Sequence, residues 1–444
     1  MSRIRRWVKW LTPGLGVKRW ILLLVIGTLG MGVGIALLVG DLLELLPVTR
    51  WGAAVAPFPF LVVLAGVGLA AFGVRGVVKA ITGALLPRGD PRLVEILSRE
   101  RQLHRGPKVV ALGGGTGLST LLRGLKRYTS NITAVVTVFD DGGSSGRLRR
   151  ELNILPPGDL RDCLVALAEV ESLMTKLFEY RFTGGTLDGH AFGNLFIASM
   201  VGITGDLEAA IQECSKVLNI RGRVLPTTTE DVVLCAEFED GTMAEGESNI
   251  TRSCKRIRRV SLRPPDVSPL PEVLEAISEA DLILLGPGSL YTSVIPNLLV
   301  RGLADAIRFA PGVKIYVCNV MTQPGETDGF RASDHVRAIL ESAGGALFTY
   351  VLVNGRSPAN KELLRRYERE GATPVVPDVE LIRRMGFVPV VEDLISEEIL
   401  LRHDSRRLAQ AVMRLYRRAR AFHHPTKSLN TDSGGGAGAR AKSI

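Results

Sequence analysis

Cysteine is scarce and unpatterned in this chain. The five cysteines, Cys163, Cys214, Cys235, Cys254 and Cys318, include no Cys-x-x-Cys pair. An odd, scattered set excludes a disulfide framework and a thiolate zinc site, and it suits a reducing compartment. No glycine loop closes on a Lys-Ser or Lys-Thr pair, so there is no P-loop. The aromatic-basic motifs of RNA-binding modules are missing, and no repeat recurs at solenoid spacing. The net charge of +10 therefore need not mean nucleic acid, and no nucleic-acid partner is expected. Much of the excess charge lies in the N-terminal region and the tail.

What the chain does have is apolar sequence. It runs to 444 residues with 46% hydrophobic content, and its mean hydropathy of +0.20 is high for a purely soluble protein. That length allows two or three domains. Residues 1–19 are basic, with Arg3, Arg5, Arg6, Lys9, Lys18 and Arg19. Two uncharged runs follow, at about 21–40 and 53–74, separated by a short break holding Asp41, Glu44 and Arg50. Each run is about the 20 residues needed to cross the hydrocarbon core. Basic residues flank the outer ends, Arg75, Lys79 and Arg88 on the second side, which predicts that both ends face the cytoplasm. Trp10, Trp20 and Trp51 fall near the expected interfaces, and Gly30 and Gly34 have the spacing that lets helices pack closely. One such run alone would read as a signal peptide; the second argues against it. The expected organisation is a basic N-terminus (1–19), a transmembrane hairpin (20–86), a polar linker (87–107), a large domain (108–421) and a disordered Gly/Ser/Thr-rich tail (422–444).

From Lys108 onward short apolar runs alternate with helical ones. Lys108–Leu112, Ile132–Phe139, Asp281–Leu285, Val313–Asn319 and Phe348–Val353 read as buried strands. The segments 118–128, 160–168, 206–218, 272–280, 333–341 and 361–369 read as helices. The alternation predicts an α/β fold, a Rossmann-like, doubly wound, mostly parallel sheet. Residues 223–260 read as an inserted antiparallel piece with a hairpin turn at Glu239-Asp240-Gly241-Thr242. Residues 404–421 read as a closing basic helix, capped by Asp404 or Ser405.

The stretch that organises the domain is Gly113-Gly114-Gly115-Thr116-Gly117, directly after the first strand. Glycines let backbone N–H groups approach a phosphate, and the following helix adds partial positive charge. Thr116 and Ser119 add hydroxyls. Asp140-Asp141-Gly142-Gly143-Ser144-Ser145 leaves the second strand, where acidic groups reach a ribose or a metal and the glycines and serines can form a second anion nest near Arg147. Gly158 and Asp159 open the next helix, with Arg161 a candidate phosphate ligand. His190 and Asn194 lie four apart, which on a helix puts both on one face. Gly286-Pro287-Gly288-Ser289 repeats the strand–glycine turn–helix logic, and Asn319 to Thr327 follows another strand. These turns are expected to converge on one cleft.

Together the six motifs resemble the gluconeogenesis-factor family (YvcK-like), related to 2-phospho-L-lactate transferase (CofD-like), over about 108–421. The resemblance implies a nucleotide site that binds UDP-sugars such as UDP-N-acetylglucosamine, with no required cofactor, and a cytoplasmic role in cell shape and envelope growth on gluconeogenic carbon sources. It implies a diphosphate held by 113–117 and by Gly286, Gly288 and Ser289, with ribose or uracil at Asp140 or Asp141. The Arg402-His403-Asp404-Ser405 stretch resembles a ligand-contact and phosphorylation region, which carries Arg402 over as a ligand contact and Ser405 as a regulatory position. The hairpin departs from the soluble family pattern and places the protein at the inner face of the cell membrane, near envelope-synthesis partners. Its small-residue face permits a homodimer. The alternative is a Mg²⁺-dependent transferase with Asp140, Asp141 and His190 as catalytic groups and Asp141 on the metal.

Overall fold

The computed structural model describes residues 18–42, 57–85, 93–169, 173–398 and 400–423. Residues 1–17 of the basic segment, the hairpin tip with Trp51, residue 86 at the hairpin's end, residues 87–92 of the linker and the tail from 424 lie outside the described residues. The chain divides into two compact units, residues 1–99 and 100–444.

The first unit holds helices α1 (Lys18–Leu42) and α2 (Phe58–Leu85), both long and apolar enough to cross a membrane. Helix α2 begins later than its uncharged run and continues past Arg75 and Lys79. The two helices pack through glycine. A Cβ on Gly27 would lie 2.5 Å from the Ala70 nitrogen, and one on Gly66 would lie 2.6 Å from the Met31 nitrogen. Gly34 packs as closely on Val63, whereas Gly30 sits more loosely, its nearest neighbour 3.9 Å from a Cβ. Leu22, Leu29 and Phe60 point outward with more than half of their surface exposed. Such apolar exposure is unfavourable in water and suits a hydrocarbon environment.

Among its described residues the second unit carries twelve strands: β1 (Val109–Gly113), β2 (Ile132–Val136), β3 (Arg223–Pro226), β4 (Val233–Phe238), β5 (Met243–Glu245), β6 (Ile257–Arg263), β7 (Leu282–Leu285), β8 (Val313–Val317), β9 (Tyr350–Asn354), β10 (Val388–Glu392), β11 (Ile395–Ser396) and β12 (Arg402–His403). Seven of them form one wholly parallel sheet in the order β10-β9-β8-β7-β1-β2-β3. The chain builds outward from β1 to β3, returns to the other side of β1 at β7, and builds outward again to β10. Right-handed crossovers running in opposite directions put helices on opposite faces, which is the doubly wound arrangement. The central strands are buried along their whole length, as a parallel sheet covered on both faces requires.

Two departures from the sequence reading concern the edges. Arg223–Pro226 is not part of the antiparallel insertion; it pairs in parallel with β2 and forms an edge of the main sheet. The insertion is the three-stranded β5-β4-β6 sheet alone, with its turn at 239–242 as expected. Strand β10, the other edge, is half-exposed and gives little apolar signal. At the chain's end the closing helix, Ser405–His423, covers the flank of the first βα unit: Asp404 accepts the Arg406 and Arg407 amides at 2.9 and 2.8 Å and caps it.

Candidate functional site

Parallel doubly wound sheets bind ligands at the carboxyl edge, where the strand order reverses. Here the reversal falls between β1 and β7. A cleft of about 510 Å³ opens there. Its walls come from Gly114–Gly117 after β1, Pro287–Ser289 after β7, Asn319–Pro324 after β8, and Leu400–His403 around β12. Four loops distant in sequence meet because each leaves the same edge of the sheet.

The β1 and β7 loops touch backbone to backbone. A Cβ on Gly117 would lie 2.5 Å from the Pro287 carbonyl oxygen, so only glycine fits. Gly115 adopts φ +59, the left-handed region that favours glycine, and opens helix α3 (Gly115–Leu125). Gly114, the N-cap, supplies no side-chain cap, so the first-turn amides are capped by no side chain of that residue. Thr116 is exposed in the cleft wall. Ser119, by contrast, is buried and donates to the Thr116 carbonyl at 3.1 Å, so its hydroxyl serves its own helix. The β7 loop is held by Asn319, which accepts the Gly288 amide at 3.2 Å and donates to the Gly288 carbonyl at 2.7 Å.

Ser289 lines the cleft but its hydroxyl is committed. It donates to Glu326 and accepts from the Thr292 hydroxyl at 2.6 Å and the Thr292 amide at 3.3 Å, capping the π-helical turn 290–294. Glu326 is buried, which raises its pKa against the hydrogen bond from Ser289.

Beside the glycine loop sits an acidic group. Asp159, on the first turn of α5 (Gly158–Leu167; α4 is Gly143–Leu152), lines the cleft yet is set deeply into the wall. It accepts the Thr137 hydroxyl at 3.3 Å and the Gly115 amide. Burial, followed by the nearby Asp140 and Asp162 charges, pushes its pKa up to about 7. Asp140 is raised too, chiefly by burial, and accepts the Gly142 amide at 2.8 Å. Glu247, opening α7 (Glu247–Ser253; α6 is Phe192–Thr204), lines the same cleft and is raised well above the usual range by burial and then by Asp140 and Asp159. Three carboxyl groups thus resist ionising together. No sequence motif marks Glu247, since it comes from the inserted sheet. Among the described residues no group of three His, Cys, Asp or Glu side chains converges to hold a metal by itself.

The remaining expected site residues form a second cluster. Asp141 does not line the cleft: it accepts the Ser248 amide at 2.7 Å and ties the β2 loop to α7. Gly142, Gly143, Ser144 and Ser145 are not an open nest. Gly143 starts helix α4, and a Cβ on Gly142 would lie 2.8 Å from the Ser248 hydroxyl. Gly158 allows Ser145 and Asp140 to approach α5. His190 precedes helix α6, so it does not share a helical face with Asn194. The two meet instead through Ser144, whose hydroxyl lies 3.0 Å from His190 Nδ1 and accepts from Asn194 Nδ2 at 3.1 Å. Burial lowers the His190 pKa, which suits a neutral ring accepting the Ser144 proton at Nδ1. Arg161 is buried, donating to Asn194 at 2.9 Å and to Asp162 at 3.0 and 2.5 Å, so it is spent on this network rather than offered to a phosphate. Arg147 reaches the Asp188 carbonyl at 2.7 Å. Of the expected residues, then, Gly114, Gly115, Thr116, Gly117, Asp159, Gly288, Ser289 and Arg402 line one cleft. Gly113 and Gly286 sit at the ends of the strands below it.

Comparison with known proteins agrees with this architecture. Residues 109–395 match the family model described as 2-phospho-L-lactate transferase CofD. The gluconeogenesis factor of Bacillus subtilis is 50% identical over 311 residues, covering 70% of this chain and 98% of that protein. A relative of the gluconeogenesis-factor group from Nostoc sp. is 48% identical over 427 residues, 93% of each chain, so its likeness extends into the N-terminal apolar region. A crystal structure of a UPF0052-family protein from Bacillus halodurans superposes with a TM-score of 0.67 at 50% identity, covering 69% of this chain and 99% of that one. The chain belongs to the CofD family, among relatives that carry the name gluconeogenesis factor.

Proposed function

We propose that this protein is a nucleotide-sugar-binding regulator of cell shape and envelope growth on gluconeogenic carbon sources. It is held at the inner face of the cell membrane by its two apolar helices, with the large domain in the cytoplasm. The observation that carries the binding reading is the meeting of two glycine loops at the β1/β7 switch point, with the first turn of helix α3 at the wall of a cleft of about 510 Å³. That volume is in the range that holds a small ligand. The diphosphate of a UDP-sugar is assigned to Gly114–Gly117 and Gly288, and the exposed Arg402 adds positive charge at the far rim. The ligand is bound without turnover. The test is the thermal midpoint of the detergent-solubilised full chain with UDP-N-acetylglucosamine, UMP or free N-acetylglucosamine. A rise of several degrees is expected with the UDP-sugar alone, and no rise with any of the three would end this reading.

A second reading is favoured by the carboxyl group Asp140, Asp159 and Glu247 beside that cradle: a Mg²⁺-dependent transferase acting on a nucleotide-activated phospho-acid. Proteins commonly hold Mg²⁺ by one or two carboxylates together with the ligand's phosphates. The three side chains fit that shared mode and do not fit an all-protein cage. When bound, the ion would neutralise diphosphate charge. Incubation with a labelled nucleotide donor separates the two readings, since release of nucleoside monophosphate belongs to the transferase alone.

A further inference from the structure

The closing helix, Ser405–His423, carries six arginines and no acidic residue. At about 100° per residue, all six fall with Gln410 and Ala421 on one arc of about 160°. Leu408, Val412, Leu415 and Tyr416 fill the opposite arc and are buried. Between 406 and 421 the outer arc therefore holds neither a carboxylate nor a large apolar side chain. Two of its arginines are paired, Arg407 with Asp393 at 2.8 Å and Arg414 with Glu392 at 2.9 Å. Arg420 donates to the Tyr416 hydroxyl at 2.9 Å. Arg406, Arg417 and Arg418 are exposed, and their guanidinium groups have no partner among the described residues. Arg414 and Arg418 stand four apart, a like-charge spacing that disfavours a helix on its own. Helix α3 packs so closely that a Cβ on Gly124 would lie 2.7 Å from the Ala409 Cβ. It too lacks an acidic residue; its Arg123 has Glu179 at 3.9 Å, and Arg127, just past its end, is exposed. By contrast the exposed helix Lys361–Arg369 intersperses Glu362 and Glu368 among its cations.

We infer that the arginine face of the closing helix adsorbs to the anionic headgroups of the membrane that the hairpin enters. The inference rests on the membrane reading of the two apolar helices and deepens it. A cluster of about four to eight basic residues on one helix suits the negative potential of a cytoplasmic leaflet. Residues 86–108 alone join the second apolar helix to β1. A hairpin in the bilayer therefore keeps the large unit at high effective concentration over lipid, and a weak attraction suffices to dock it. With no large apolar side chain on the outer arc, nothing inserts into the hydrocarbon. The attachment is electrostatic, screened beyond about 8 Å at physiological salt, and reversible.

The test reads energy transfer from a dye on Gln410→Cys to an acceptor-labelled lipid, with the full-length protein in lipid nanodiscs. Exposed Cys254 is removed as Cys254→Ser, and Cys163, Cys214, Cys235 and Cys318 are buried. At about 0.05 M salt, transfer is expected to be at least twofold higher in discs with about 30% phosphatidylglycerol than in phosphatidylcholine discs. At about 0.5 M salt the two are expected to be equal. Arg417→Glu combined with Arg418→Glu is expected to abolish the difference. Equal transfer in both lipids at low salt, with the chain co-eluting with the discs, overturns the inference and leaves the membrane reading standing. A difference that survives the double substitution or high salt also overturns it, because another face or an apolar contact then holds the domain. An oligonucleotide bound by wild type and lost in the double variant, with no lipid dependence, overturns it in favour of nucleic acid. Failure of the chain to enter the discs removes the membrane reading and this inference with it. Circular dichroism confirms the fold of each variant. If the Glu pair is unfolded, Arg417→Gln with Arg418→Gln carries the same comparison, with at least half of the difference lost and an unchanged difference overturning the inference.

Discussion

Asp159→Asn is expected to stabilise the protein at alkaline pH. The wild-type carboxyl titrates near 7 in the folded state against 3.8 in the open chain. A difference of roughly three pKa units corresponds to about 4 kcal/mol at about 1.36 kcal/mol per unit. The sign follows from proton counting. Between pH 4 and 7 the folded state holds a proton that the unfolded state has released, so stability falls as pH rises through that window and the full cost is present above it. Asparagine removes the charge but weakens the bonds to the Gly115 amide and the Thr137 hydroxyl. Those losses, about 1 kcal/mol each, leave a net gain of about 2 kcal/mol at pH 8 and a net loss of about 2 kcal/mol near pH 4. All four tryptophans precede residue 52, so far-UV circular dichroism, not tryptophan emission, should follow urea unfolding of the large domain. A variant less stable than wild type at pH 8, or one whose gain is the same at pH 4.5, would refute the reasoning.

His403 titrates in the opposite sense: its folded pKa of about 4 lies below the open-chain 6.5, so wild-type stability should drop as pH falls from 6.5 to 4. His403→Phe should flatten that part of the urea-midpoint profile. Gly117→Ala should lower the thermal midpoint by several degrees and abolish ligand-induced stabilisation, because its methyl group meets the Pro287 carbonyl. Ser144→Ala should cost about 2 kcal/mol by leaving His190 and Asn194 without their shared partner, yet change UDP-sugar affinity less than twofold. A large loss of affinity in that variant would move the ligand into the second cluster.

The central strands were legible because β1 and β7 are uninterrupted apolar runs and β2 is broken only by Thr133, which is what burial on both faces demands. The glycine turns after β1 and β7 were legible for a related reason: close backbone approach and a left-handed residue leave glycine little competition. The edges were not. Arg223–Pro226 is four residues long with an exposed arginine, and Val388–Glu392 is mostly half-exposed, so neither carries a strong period. Helix α4 was hidden because its first residues, Gly143-Ser144-Ser145, have turn chemistry and the rest is largely charged. The site divided in a way no spacing reveals. Asp141 and His190 sit in glycine-containing motifs as Thr116 does, but their side chains are aimed at Ser248 and Ser144. Glu247 entered the cleft wall from a segment with no motif, because tertiary register alone brings it there.

The most direct measurement is hydrogen–deuterium exchange of the full-length protein with and without UDP-N-acetylglucosamine. Protection is expected in the peptides covering Gly114–Thr120, Pro287–Ser289, Asn319–Gln323 and Leu400–His403, with Ser144–Arg147 and His190–Asn194 unchanged. Protection confined to those last two segments, or none anywhere at saturating ligand, would contradict a binding site at the β1/β7 switch point.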